Sequence, residues 1–278
     1  MSAERIPLAG VIGSPVAHSL SPKVHGFWLS EHGLNGHYIP MDVSSDDLGR
    51  AFATLPQIGF KGVNVTIPHK ERALSLADRV SDRAAVIGAA NTITFQPDGS
   101  IHADNTDGVG FIENLRSGAP DWRADQGPAV VLGAGGASRA VLASLLDAGV
   151  PEIRLANRTR VRGEALRSDF GPKVTVVDWH RVGEALEGSQ LVVNTTSLGM
   201  DGSAPLSLSL DPLPKTAVVT DIVYTPLETR LLADARARGN ISVDGLGMLL
   251  HQAVPGFARW FGGRPKVTPE LRATILAE

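Results

Sequence analysis

The sequence predicts an α/β protein made of two domains, each around a mainly parallel sheet. Three observations carry that expectation. The chain has 278 residues, enough for two domains at about 150 residues each. Short apolar runs alternate with helical patterns along most of its length, the rhythm of βα units. The rhythm is interrupted at Ser117 to Pro128, where Gly118, Pro120, Asp121, Asp125, Gly127 and Pro128 mark a linker-like loop and a nearby domain boundary, and then restarts.

In the first half, strand patterns fall at Ile6 to Gly13, Tyr38 to Val43 and Gly62 to Ile67, with helical patterns at Pro22 to Leu34 and Asp46 to Leu55 between them. Asn91 to Phe95 and Ser100 to Asp104 flank Gln96, Pro97, Asp98 and Gly99, a turn chemistry that sets a tight reversal. One hairpin therefore breaks the parallel order, and Gly108 to Arg116 follows as a helix. After the loop, strands at Ala129 to Leu132, Glu152 to Asn157, Val174 to Val177, Leu191 to Asn194 and Ala217 to Ile222 alternate with helices at Ala137 to Ala148 and Val161 to Phe170, as in a doubly wound sheet. In the tail, Leu246, Leu250, Ala253 and Phe257 recur at spacings of four, three and four, which makes one buried helix face.

Composition narrows the function classes. Twenty-six basic residues against 29 acidic give a net charge of −3, with no pull toward nucleic acid or an anionic membrane. A small-molecule substrate and a second copy of the chain, as a homodimer, remain as expected partners. There is no cysteine, so disulfides, thiolate metal sites and a cysteine nucleophile are excluded. The eight histidines show no metal-binding spacing, and no metal is expected. Glu4, Arg5, Pro7 and Gly10 interrupt the first residues in a way a secretory leader does not, and no run approaches the roughly 18 apolar residues of a membrane span. A cytoplasmic protein is expected.

The segment Val130, Val131, Leu132, Gly133, Ala134, Gly135, Gly136, Ala137, Ser138 runs from an apolar strand through a glycine turn into a helix. Glycines there let backbone approach a pyrophosphate, whose charge the helix N-terminus favours. A plain βα turn would use the same residues, but the strand and helix on either side supply the context of a dinucleotide site. At the end of the next strand a chain that prefers NAD usually has an acidic residue for the ribose 2′-hydroxyl. This chain has Asn157, Arg158 and Thr159, with Arg160 and Arg162 after them, which suits the 2′-phosphate of NADP. Arg160 alone reads as a solvated helix start, since side chains two apart on a helix face different ways.

The first half collects polar residues at helix starts. Ser21 before Pro22 looks like an N-cap, while His18 and Ser19 have no such duty and would gather donors beside a helix N-terminus, a place suited to a carboxylate. In Gly62 to Ile67, Val63, Val65 and Ile67 alternate with Asn64 and Thr66, giving an apolar and a polar face. Lys70 falls in the first turn of the next helix, at the positive end of its dipole, where a lysine is unfavourable by about 0.3–1 kcal/mol. It is either a solvated surface residue or a group with a task. Asp107 opens another helix, where it either favours the dipole or pairs with Lys70 as an acid/base dyad. Asn91 reads by default as a turn residue.

Nine strings then resemble one family in order along nearly the whole chain. They are GSPVAHSLSPKVHG at Gly13 to Gly26, GVNVTIPHK at Gly62 to Lys70, GAANT at Gly88 to Thr92, DNTDGVGF at Asp104 to Phe111, GAGGASRA at Gly133 to Ala140, NRT at Asn157 to Thr159, NTTSLGM at Asn194 to Met200, DIVYTPLETRLL at Asp221 to Leu232, and DGLGMLLHQA at Asp244 to Ala253. The chain resembles the shikimate/quinate dehydrogenase family. Departures are Gly26, where the family often has Asn, and Ile222, where it often has Met.

The resemblance implies NADPH-dependent reversible reduction of 3-dehydroshikimate to shikimate, a step of aromatic amino-acid (chorismate) biosynthesis. It implies that Lys70 is the catalytic acid/base, paired with Asp107. Ser19 and Ser21 would hold the substrate carboxylate, and Thr66, Asn91, Asp107 and Gln252 the ring hydroxyls, with Tyr224 also at the substrate. Toward the cofactor it implies Gly133, Ala134, Gly135, Gly136 and Ala137, then Asn157, Arg158, Thr159 and Arg162, and Asp82, Thr195, Ile222, Gly245 and Met248. It also makes the first domain discontinuous: a substrate domain of residues 1–110 and 245–278, a Rossmann-like NADP-binding domain of residues 111–244, and a cleft between them. Two alternatives are a quinate/shikimate paralogue with broader substrate range or NAD use, and a non-catalytic NADP-binding sensor. Asn157 and Arg158 argue against the first; the presence of Lys70 and Asp107 argues against the second.

Overall fold

A computed structural model describes residues 6–277; Glu4 and Arg5, on which the expectation about a secretory leader partly rests, lie outside the described residues. The chain forms two compact units, one from the chain up to Asp107 and again from Leu249, the other spanning Gly108–Met248.

The first unit runs β1 (Leu8–Gly13), α1 (Ser21–Glu31), β2 (His37–Asp42), α2 (Leu48–Thr54), β3 (Phe60–Val65), α3 (Lys70–Ser75), β4 (Arg79–Val80), α4 (Asp82–Ile87), β5 (Thr92–Phe95) and β6 (Ile101–Asp104). Its sheet has the order β2-β1-β3-β5-β6-β4. β1 pairs in parallel with β2 and β3, whereas β5 is antiparallel to both β3 and β6, as the Pro97-Asp98-Gly99 turn requires. Gly99 supplies the positive φ of that turn, 84°. One face of the sheet packs Ile12, Phe52, Val63, Val65, Ile93 and Phe95; Tyr38 and Trp260 join Ala9 and Val11 in a second cluster.

The second unit begins in α5 (Asp107–Gly118) and continues through β7 (Ala129–Leu132), α6 (Gly136–Asp147), β8 (Ile153–Asn157), α7 (Arg160–Phe170), β9 (Val174–Asp178), α8 (Val182–Ala185), β10 (Leu191–Asn194), β11 (Val218–Asp221), α9 (Arg230–Ala237) and β12 (Ile241–Val243). The sheet is parallel throughout, in the order β12-β11-β10-β7-β8-β9. That is the doubly wound order of a dinucleotide-binding fold, with the order reversing between β7 and β10. Both faces are covered: Val131 and Val193 lie in one core cluster with Leu142 and Leu145, Val130 and Val192 in another with Leu231 and Leu232. α10 (Leu246–Phe261) and α11 (Pro269–Leu276) complete the chain; Leu246, Leu250, Ala253 and Phe257 are buried.

Several expectations change. Ser21 is the first residue of α1 and not its cap; no side chain caps at Leu20, and Ser19 instead accepts the Ser21 N–H at 3.3 Å. β3 ends at Val65, so Ile67 escapes the alternation and is 73 % exposed. The loop at residues 117–128 does not separate the units: Ala119 is buried in the core of the second unit, with Trp122 packed against it. The elements missing from the pattern, β4, α4, α8, α9, β12 and α11, are two to eight residues long, too short for a periodic signal. Among the described residues no helix is long and apolar enough to cross a membrane, and no cluster of potential metal ligands occurs.

Candidate active site

In the first unit, parallel and antiparallel pairing bring three chain ends to one edge of the sheet. Asn64 near the end of β3, Thr92 at the start of β5 and Asp104 at the end of β6 stand opposite one another in register. The residues just beyond them, Asn91 before β5 and Asn105, Thr106 and Asp107 after β6, therefore converge. The carboxyl edge of an α/β sheet is where ligands ordinarily bind.

Asn91 is the hub. It is 2 % exposed, and its amide nitrogen donates to Asp107 Oδ1 at 2.8 Å, Thr106 Oγ1 at 3.0 Å and Gln252 Oε1 at 3.1 Å. Its amide oxygen accepts from the Thr106 N–H at 2.8 Å and Thr92 Oγ1 at 2.9 Å. A residue read from sequence as a turn thus holds together two strand ends and α10. Asn105, another buried member, accepts the Asp107 N–H at 3.0 Å and donates to the Ala89 carbonyl at 2.9 Å. Lys70 Nζ donates to Asp107 Oδ2. Lysine and aspartate side chains are 16 % and 8 % exposed, so the pair is largely withdrawn from water. An ammonium held by a carboxylate, beside amide and hydroxyl groups, can hold or release a proton at a substrate oxygen.

The other residues expected around this cluster are placed less uniformly. Thr66 is half-buried and packs its methyl against Gly13, a position where a Cβ would collide with it. Ser21 is buried and Ser19 half-buried at the start of α1, while His18 is exposed. Asp82 is exposed on the first turn of α4, which Ser81 caps. Asp104 sits behind the cluster, accepting from Ser81 Oγ at 2.6 Å and Arg259 Nη2 at 2.5 Å. Burial works against its charge, but those bonds and the Arg83 and Arg259 charges win and hold its carboxyl below the usual range. No local sequence pattern pointed to Arg259, because its partner lies 155 residues away.

In the second unit the glycine turn lies at the switch point between β7 and β10. Gly133 has φ 108°, and a Cβ there would stand 2.8 Å from Thr195 Oγ1. Thr195 closes the same corner by donating to the Leu132 carbonyl at 2.7 Å. Gly135 precedes α6 without a side-chain cap and has open space where a Cβ would be. Gly136 and Ala137 start the helix, with Ala134 half-buried beside them. Uncapped N–H groups at a helix start, with room in front, fit a pyrophosphate.

At the end of β8, Asn157 turns its amide back to the Thr159 carbonyl at 2.8 Å. Arg160 is engaged by Asp178 at 2.6 Å and Glu164 at 2.9 Å. Arg158 and Arg162 are exposed and have no ion pair among the described residues, so two guanidinium groups are available to an anion. After β11, Asp221 is buried and accepts from Asn194, Val223 and Thr229 at 2.8–3.0 Å; burial nonetheless pushes its carboxyl up. This ties the loop carrying Ile222 and Tyr224 to the end of β10. Tyr224 is half-buried, and burial raises its phenol. Gly245 leaves no room for a Cβ against the Ile222 and Val223 carbonyls, and Met248 is packed into the core.

Known proteins bear on both units. Residues 11–93 match the shikimate dehydrogenase substrate binding domain, and residues 120–199 match the shikimate/quinate 5-dehydrogenase family. A protein of Dinoroseobacter shibae named shikimate dehydrogenase (NADP(+)) is 66 % identical over 278 residues, covering 100 % of both chains. Shikimate 5-dehydrogenase from Thermus thermophilus, solved with NADP(H) and shikimate, is 38 % identical with a TM-score of 0.86, over 96 % of this chain and 98 % of that one. Quinate dehydrogenase from Corynebacterium glutamicum, solved with NAD, is 33 % identical with a TM-score of 0.88, over 97 % and 98 %. With both halves matched and two thirds of its residues shared with a relative of equal length, the chain belongs to the shikimate dehydrogenase family.

Proposed function

We propose that this protein catalyses the NADPH-dependent, reversible reduction of 3-dehydroshikimate to shikimate, within aromatic amino-acid biosynthesis. The observation that carries this is the largely buried Lys70–Asp107 pair, knitted through Asn91 to Gln252 within a unit whose residues 11–93 match a shikimate dehydrogenase substrate binding domain. Ser19 and Ser21 hold the carboxylate. Thr66, Asn91, Asp107 and Gln252 hold the ring hydroxyls, and Tyr224 completes the substrate contacts.

Bound at the glycine turn, NADPH supplies the hydride. The groups that fit it are the backbone of Gly133 to Ala137, with Asn157, Arg158, Thr159 and Arg162 at the 2′-phosphate and Thr195, Ile222, Gly245 and Met248 toward the nicotinamide. Asp82 is a further candidate, on the first unit. Lys70 delivers a proton to the C3 oxygen as the carbonyl becomes a hydroxyl. Asp107 holds the ammonium in place and offsets its charge, and Asn91 fixes the carboxylate by its other oxygen.

The alternative is a quinate/shikimate dehydrogenase paralogue with a broader substrate range or NAD use. Arg158 and Arg162, without an ion pair among the described residues, and the sequence Asn157-Arg158 with no carboxylate at the end of β8, favour NADP. Initial rates with shikimate and quinate, each with NADP and NAD, decide between them: shikimate with NADP is expected to be fastest, and faster quinate oxidation with NAD would overturn the reading. A cytoplasmic location and a homodimer accompany this proposal, the dimer to be checked by light scattering.

A further inference from the structure

One buried aromatic pair in the first unit has no part in the chemistry above. His25 on α1 is 0 % exposed, and neither ring nitrogen has a hydrogen-bond partner among the described residues. Its ring lies flat on Tyr38, with centroids 3.9 Å apart and planes at 4°. Trp28, Phe257 and Trp260 surround it at 5.8 Å. Enclosed in this way the imidazole stays neutral and acts as a flat aromatic plate.

The plate holds the Tyr38 ring in one place. The phenol of Tyr38 donates to Asn64 Oδ1 at 2.7 Å. Ser21, four residues before His25 and so on the same face of α1, is the second polar neighbour of the phenol oxygen. Asn64 in turn donates from Nδ2 to the main-chain carbonyl of Asn91 at 3.1 Å, an oxygen that also accepts the Val65 N–H at 2.8 Å. A carbonyl can only accept, so the Asn64 amide has a single workable orientation, with its NH2 toward Asn91 and its oxygen toward Tyr38. The phenol is the donor that completes that orientation. A buried amide oxygen without it would lose its partner and the amide its anchor.

We propose that Tyr38 is a positioning residue for substrate binding: stacked on His25, its phenol fixes the Asn64 amide and, through the Asn91 carbonyl, the side chain that gathers Thr106, Asp107 and Gln252. This rests on the reading of that cluster as the shikimate site.

The test is a double-mutant cycle of Tyr38→Phe and Asn64→Ala in the full-length protein, read by steady-state kinetics with shikimate and NADP. Tyr38→Phe keeps the ring on His25 and removes only the hydroxyl. The expected result is a rise of about five- to tenfold in KM for shikimate, with kcat within about twofold and KM for NADP unchanged. In the Asn64→Ala background the same change should add much less to KM, because the amide it acts through is gone and only the Ser21 contact remains. An unaltered KM, equal changes in both KM values, or additive effects in the double variant would overturn the proposal. So would a Tyr38→Phe protein that does not fold, since the phenol would then serve the fold and not the amide. Wild-type protein inactive on shikimate would overturn the substrate reading itself, which separates the two failures.

Discussion

Lys70 and Asp107 are each the first residue of a helix, and they are joined to each other: Nζ of one donates to Oδ2 of the other. A carboxylate at a helix N-terminus is favoured by the dipole, whereas an ammonium there is not. Pairing the two places an unfavourably sited cation against a favourably sited anion, so the lysine is held by its partner and not by its own helix. Asn91 occupies the other carboxylate oxygen at 2.8 Å, which leaves Asp107 little freedom to turn away.

Lys70→Ala removes the proposed proton donor while Asp107 keeps its bond from Asn91. The expected outcome is a fall in kcat of about 10²- to 10⁴-fold with little change in KM for shikimate, the signature of a group acting mainly in the transition state. Circular dichroism should show an intact fold. Near-normal turnover would remove Lys70 from the mechanism.

Arg158→Ala tests the cofactor reading. A guanidinium on a phosphate is a charge-assisted contact worth about 1.5–3 kcal/mol, so binding of NADPH should weaken by about tenfold or more. NADH lacks the 2′-phosphate and should be nearly unaffected. Fluorescence titration with both nucleotides checks this, and equal losses would show that Arg158 serves the fold or another part of the nucleotide.

The glycine turn and the arginines of the candidate cofactor site were legible because their signals are local, whereas Asp82, Thr195, Ile222, Gly245 and Met248 came only from the family resemblance. Gly133 to Gly136 and Asn157 to Arg162 follow their own strands directly, and two strands of the second sheet, Ala129–Leu132 and Leu191–Asn194, fall where the apolar runs place them. In the candidate substrate cluster the residues alone pointed to donors at Ser19 and Ser21 and left the Lys70–Asp107 dyad open, whereas the roles of Thr66, Asn91 and Gln252 came only through the family resemblance. Asn91 bonds residues at 106, 107 and 252, and Asp104 bonds Arg259, partners that no window of neighbouring residues contains. Tyr38 gave no signal at all, since its role depends on a ring from α1 and an amide from β3.

His25 should leave its mark on acid stability. Burial lowers its imidazole from 6.5 to about 3. Between those values the unfolded chain binds a proton that the folded chain does not, so the stability His25 contributes is complete above pH 6.5 and is lost as pH falls toward 3. The slope at its steepest is about 1.4 kcal/mol per pH unit. His25→Phe removes the titrating group while keeping an aromatic ring on Tyr38. Urea midpoints measured from pH 7 to pH 4 should fall more steeply for the wild type than for His25→Phe. Parallel curves would mean that water reaches the imidazole.

Asp104 predicts a different pH window. Its carboxyl is held below 3.8 despite burial, chiefly by the bonds from Ser81 and Arg259. The sign is that of a depressed acid: the stabilisation is present above pH 3.8 and is lost as pH falls through the lower, folded value. Arg259→Met keeps the aliphatic stem and removes the charged donor at 2.5 Å. It should cost about 1–3 kcal/mol at neutral pH, because a buried carboxylate is left with fewer partners. The cost should shrink as pH falls below 3.8, since protonation of Asp104 makes the missing arginine matter less. Thermal unfolding of both proteins at pH 7 and pH 3 reads the gap directly. A gap that stays constant would assign the loss to packing of the Arg259 stem and not to its charge, and Asp104 would then depend mainly on Ser81 and on the Asn105 N–H, which it accepts at 2.8 Å.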